Sequence, residues 1–189
     1  MNLIPRLALS VLLLNLAFTS SLLADGASSN SLVFMSLVGT KQGLITGEVV
    51  QRNHDKQHRL LAYSHEIVSP RDPATGLATG RRQHQPFRIV KLVNQGSPLL
   101  MSALTSNETL SSVTVDIWNP SADGIEVKLY TYTLINAKIV SLRPWMPNRA
   151  DASAASYPPA EEIAFTYQTI RVTYVDGGIE SVDDWNPNR

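Results

Sequence analysis

The sequence predicts a mainly β domain, an antiparallel barrel or sandwich carrying one short helix. Three observations predict it. Most β-branched and aromatic residues fall in short runs bounded by glycine, proline and asparagine, the pattern of strands joined by turns. Only the stretch from Gly96 to Asn107 has helical spacing. The last long run changes phase halfway, as a strand does where it turns a barrel corner or changes sheets.

In chain order, Ser31 to Gly39 is the first β-prone run, ended by glycine. Glycines at 39, 43 and 47 and a polar stretch up to His58 read as turns with a short strand. Arg59 to Val68 is a second strand. A long polar connection follows, holding Pro70, Pro73 and Pro86 and glycines 76 and 80. Ordinary connections take about 2 to 6 residues, and a longer one is usually functional. Phe87 to Val93 makes the next strand.

The helix comes after it. Ser97 suits the N-cap and Pro98 the first helical position, where a missing N–H costs nothing. Leu100, Ala103 and Leu104 then share a face, and Asn107 stops the helix. Val113, Val115 and Ile117 line one face of a strand. Pro120 to Gly124 is turn chemistry, and Ile125 to Leu142 returns as the hairpin partner. Arg143 to Ala160 is too rich in proline and alanine for a strand and reads as a mobile surface loop.

In the closing run Ile163, Phe165 and Tyr167 occupy odd positions, whereas Ile170, Val172 and Tyr174 occupy even ones. A period-2 strand cannot keep both sets on one face, so a bulge or bend belongs near Gln168 and Thr169.

The first residues are a different material. One basic residue, Arg6, precedes an apolar run from Leu7 to Phe18 and then small and polar residues. That is the layout of a secretory signal peptide, with cleavage expected after Ala24. The run is short for a membrane span, which needs about 20 residues. A start codon set too early is the competing reading. The organisation is therefore a signal-like segment at 1–24, a linker at 25–30 and one β domain at 31–189.

Composition excludes several classes. The 16 basic and 16 acidic side chains cancel, which gives no electrostatic case for nucleic acid or an anionic membrane. With no cysteine, thiolate catalysis, disulfides and cysteine-bound metal are all excluded. His54 and His58 flank Asp55 in a stretch without helical pattern, and read as exposed imidazoles of a solvated loop rather than zinc ligands. His65 and His84 read as structural or surface residues. Glu161 and Glu162 are adjacent on a strand, point to opposite faces, and cannot act as an acid/base pair. Asp183 and Asp184 read as solvated, a cation site being the alternative. Trp118, Trp145 and Trp185 are scattered. No catalytic site emerges, no cofactor is called for, and the chain reads as one that works by surface and shape.

Three segments together carry a resemblance. Leu60 to Leu104 runs through strand, long loop, strand and helix; Phe34 to Glu48 stands before it; Glu161 to Trp185 closes the chain. The specific pieces are Gly80, Arg81, His84, Pro86 and Phe87, then Ser97 to Leu100, then Tyr167, Ile170, Asp183, Asp184 and Trp185. In order and spacing they resemble the Hcp family (haemolysin-coregulated protein), the inner-tube subunit of the bacterial type VI secretion system.

The resemblance implies a compact antiparallel β-barrel of two sheets with one short flanking helix and a long extended loop. It implies a homohexameric ring, rings stacked into a tube, effectors carried in the lumen, and spike and sheath proteins as partners. It implies no enzyme activity, no nucleic acid and no stable membrane insertion once the signal-like segment is removed. The long loop then joins neighbouring subunits or rings, and Arg71, Asp72, Arg81 and Arg82 are its candidate polar contacts. Secretion to the exterior is expected. The signal-like segment departs from the family pattern and favours an alternative, an exported monomeric β-barrel binding module. Arg143 to Ala160 also looks longer than in compact relatives.

Overall fold

The computed structural model describes residues 32–120, 125–152 and 155–185. The signal-like segment and linker lie outside these residues. The elements are β1 (Leu32–Gly39), β2 (Gly43–Leu44), β3 (His58–Ser64), β4 (Ile67–Val68), β5 (Gln83–His84), β6 (Phe87–Leu92), α1 (Ser97–Thr105), β7 (Leu110–Pro120), β8 (Glu126–Trp145), β9 (Ala160–Thr166), β10 (Thr169–Tyr174) and β11 (Ile179–Asp184).

The main sheet runs β11-β10-β8-β7-β1-β3-β6-β9, and pairing of β9 with β8 closes it into a barrel. Strand β8 makes the closure possible. At 20 residues it is long enough to pair β10 with its first half, at 130–135, and β9 with its second half, at 138–145. Closure removes two exposed strand edges, so β10 and β11 form a flap of sheet extending from the barrel. A second, two-stranded sheet pairs β4 with β5 at the root of the long connection.

Alternation along the strands buries one face. Met35, Leu37, Phe87, Ile89, Val113, Val115, Leu134, Ile163 and Phe165 fill the interior, all completely buried. Helix α1 packs against β8 and adds Leu100 and Ala103 to the same core, with Leu104 half-buried against it. The helix ends in a Schellman motif. The Glu108 N–H reaches the Ala103 carbonyl and the Asn107 N–H reaches that of Leu104, with Asn107 left-handed at φ 51°.

The expected break in the last run is present. Strand β9 stops at Thr166 and β10 starts at Thr169, so that Phe165, Tyr167 and Ile170 are all buried. Opposite the break, β8 bends at Asn136, which is left-handed at φ 50°.

Four expectations are corrected. Arg59 to Val68 is two strands with different partners: β3 pairs β1 and β6, whereas Ile67 and Val68 pair Gln83 and His84. Arg143, Pro144 and Trp145 belong to β8, because Glu162, Glu161 and Ala160 of β9 need partners to close the barrel. Ser97 is inside the helix, with Gly96 at the N-cap. Its hydroxyl instead accepts from the Asn94 N–H and donates to Glu161.

His54 and His58 are not exposed; both are fully buried. His54 stacks on Phe34 at 3.9 Å between centroids and reaches Gln57 and Glu126, each at 3.0 Å. His58 Nε2 lies 3.1 Å from the Ile45 carbonyl oxygen, and burial lowers its pKa. The polar stretch from Gly47 to His58 therefore folds back onto the barrel. Gly47 permits this: a β-carbon there would sit 2.2 Å from the Gln57 carbonyl oxygen.

Candidate functional site

The long connection between β4 and β5 is an ordered hairpin with its own hydrogen bonds. Arg71 and Ala78 bridge in antiparallel fashion. At the tip, Asp72 Oδ1 accepts from the Ala74 N–H at 2.9 Å, the Thr75 N–H at 2.7 Å and the Thr75 hydroxyl at 3.0 Å. This is the local turn chemistry that aspartate followed by proline favours. Those three donors hold the Asp72 carboxyl below its ordinary pKa, with the Thr75 N–H foremost. Gly76, at φ 71°, completes the turn, and Arg71 Nη1 donates to its carbonyl at 3.2 Å.

The root of the hairpin is fastened to β11. The Arg82 guanidinium donates through Nε and Nη2 to both oxygens of Asp183, and through Nη2 to the Asp184 carbonyl at 3.1 Å. His84 Nε2 is 3.0 Å from Asp183 Oδ2. On its other side, His84 Nδ1 is 2.8 Å from the Tyr167 hydroxyl, and His65 Nε2 is 2.6 Å from that same hydroxyl. Trp185 closes over His84 at 5.4 Å, and His65 stacks on Phe87 at 5.4 Å. Arg81, Arg82, Gln83, His84 and Trp185 line a cleft of about 480 Å³ beside the root.

The electrostatics follow from these contacts. The bidentate hydrogen bond from Arg82 lowers the Asp183 pKa, and the same contact raises that of Arg82. Burial, then the neighbouring His84, lowers the pKa of His65. Burial, then the Asp183 charge, raises that of Tyr167. Such a site positions a loop. Among the described residues no group of three or more metal-binding side chains converges, and no helix is long and apolar enough to cross a membrane.

Of the four loop residues singled out from sequence, Arg71 and Asp72 stabilise the hairpin tip and Arg82 its root. Arg81 is exposed. Sequence reasoning missed Asp183 as the partner of Arg82, and His65 and Tyr167 as partners of His84. Gly80 to Phe87 and Tyr167 to Trp185 stood out as separate motifs. Their contact joins residues about a hundred positions apart, and no local pattern reveals that.

Known proteins share this fold. The family described as "Type VI secretion system effector, Hcp" matches residues 34–174. The chain belongs to the Hcp family. The family is one of secreted structural proteins rather than enzymes. A relative from Pseudomonas aeruginosa, the "Major exported protein", is 38% identical over 161 residues, covering 80% of this chain and 94% of its own. A solved Hcp structure superposes with a TM-score of 0.76 at 26% identity, covering 82% of this chain and 98% of that one. Hcp1 of Escherichia coli superposes at 0.73 with 29% identity, and secreted Hcp3 of Pseudomonas aeruginosa at 0.67 with 32%. Both alignments cover 82% of this chain and 98% of theirs.

Proposed function

We propose that this Hcp chain is a structural tube subunit of a type VI secretion system. Copies close into a hexameric ring, rings stack, and the lumen carries effectors. Spike, sheath and effector proteins of the same system are its other partners. The subunit needs no cofactor, catalyses nothing and acts outside the cell after secretion, as the exported character of the Pseudomonas relative supports.

One observation carries the reading. Arg71, Asp72 and Arg82 of the β4–β5 hairpin bond within the hairpin or to β11, and the hairpin presents Leu77, 69% exposed, to the outside. A long loop held in shape by its own hydrogen bonds suits a contact with another molecule. In a ring built head to tail, each subunit offers a projection at one face and a seat at the other. Within that assembly the exposed Arg81 side chain reaches a neighbour.

Leu77→Asp tests this reading. Sedimentation velocity is expected to show the assembled wild type reduced to slower species, with unchanged circular dichroism. Assembly of Leu77→Asp indistinguishable from wild type would remove the hairpin from the contact.

A further inference from the structure

The hydrogen-bond line at the hairpin root counts protons. With both imidazoles neutral, the Tyr167 hydroxyl and the two ring nitrogens that face it are satisfied in one direction. His65 Nε2–H donates to the Tyr167 oxygen and the Tyr167 hydroxyl donates to His84 Nδ1, while His84 Nε2 faces the Asp183 carboxylate at 3.0 Å without hydrogen-bond geometry. One added proton is also accommodated, by reversal. His84, now carrying both protons, donates to Tyr167 and pairs its charge with Asp183, and the Tyr167 hydroxyl turns to donate to His65 Nε2. A second proton has no such solution. Both imidazoles would then donate to one phenol oxygen, and the hydroxyl proton of Tyr167, 5% exposed, would lose its acceptor.

We propose that His65, Tyr167 and His84 form an acid-sensitive latch, which holds the root of the extended hairpin closed with no added proton or one and opens it when both imidazoles are charged. The charged and titratable groups around it come from four places. His65 stands between β3 and β4, Arg82 and His84 at the β5 side of the hairpin, Tyr167 between β9 and β10, and Asp183 and Asp184 on β11. Asp183 lies 3.0 Å from His84 Nε2 and is paired with Arg82 on its other side. Asp184 is engaged by the Thr169 hydroxyl at 3.1 Å and faces the same guanidinium.

The second proton must enter a ring whose centroid lies 6.4 Å from a charged neighbour. The lowered pKa of His65, from burial and from His84, agrees with that resistance. A histidine whose folded pKa is depressed stabilises the closed form above its ordinary value of about 6.5 and loses that contribution as pH falls below it. The latch belongs to a single subunit and does not depend on ring formation.

His65→Gln separates this account from simple acid weakening. A glutamine amide donates to Tyr167 or accepts from it, so it serves both directions of the line, but it takes no proton. Hydrogen–deuterium exchange of the full chain, corrected for intrinsic rates, reports the root through the Gln85 N–H, which bonds the Glu66 carbonyl at 2.9 Å. Between about pH 7 and about pH 4, wild-type protection at 83–86 is expected to fall by about tenfold or more. His65→Gln is expected to keep it, with β7 protected in both proteins. Equal loss in both proteins, loss only together with β7, or no loss in wild type would each overturn the latch.

Discussion

Asn136 Nδ2 donates to Gln168 Oε1 at 2.9 Å, which ties the bend of β8 to the break between β9 and β10. Gln168 returns a second link, its N–H donating to the Ile135 carbonyl at 3.1 Å. The two irregularities are one corner. There β8 changes partner from β10 to β9, and the flap of sheet leaves the barrel. Left-handed backbone costs an L-residue about 1–2 kcal/mol, and asparagine tolerates it better than most. Asn136→Val is therefore expected to cost about 2 kcal/mol or more. Asn136→Gly, which loses only the side-chain bond, should cost less than about 1 kcal/mol. Urea titration ranks the two, and equal losses would remove the backbone from the explanation.

Lys91 and Glu161 form a fully buried ion pair at 2.7 Å, in which Lys91 also donates to the Asn94 side chain and the Leu92 carbonyl. Removing one partner leaves a buried charge uncompensated. Lys91→Met alone is expected to cost about 3–5 kcal/mol, whereas Lys91→Met with Glu161→Leu should recover most of it. A double variant as unstable as the single one would show that the pair itself supplies the stability.

The Glu108 carboxylate accepts from the Lys41 N–H at 2.6 Å, the Gln42 N–H at 2.9 Å and the Gln42 amide at 2.8 Å. The Gln42 side chain is the largest cause of its lowered pKa. Since the folded pKa is depressed, the stabilisation is complete above the ordinary value of 4.5 and is lost as pH falls through the folded one. Stability plotted against pH should lose part of its acid slope in Glu108→Gln. An unchanged slope would exclude Glu108 as a contributor.

Arg81 and Arg82 are separable. Arg82→Glu faces Asp183 across the hairpin root and is expected to raise amide exchange at 83–86 in an isolated subunit. Arg81→Glu should leave exchange unchanged and weaken self-association by about tenfold, or about 1.4 kcal/mol, in sedimentation equilibrium. Identical behaviour of the two variants would contradict the division of roles.

Much of the fold was legible because it rests on local pattern. The phase change from Phe165 to Ile170 locates the corner, and Leu100 and Ala103 mark the buried helix face. Long-range pairing hid the rest. Arg143 to Trp145 look like loop because their strand character comes from Glu162 and Ala160 across the barrel. His54 looks solvated because Phe34 and Glu126, which bury it, lie far away in sequence. The same distance hid Asp183 from Arg82. The length of the loop was visible, but not that Arg71 and Asp72 shape its tip and Arg82 fastens its root to β11.

The central claim is that this chain closes into rings. Light scattering after size exclusion, with negative-stain imaging of the same peak, tests it most directly on the chain starting at Asp25. The account predicts a hexamer mass and six-fold rings with an open lumen. A monomer at every concentration, with no rings in the images, would contradict it.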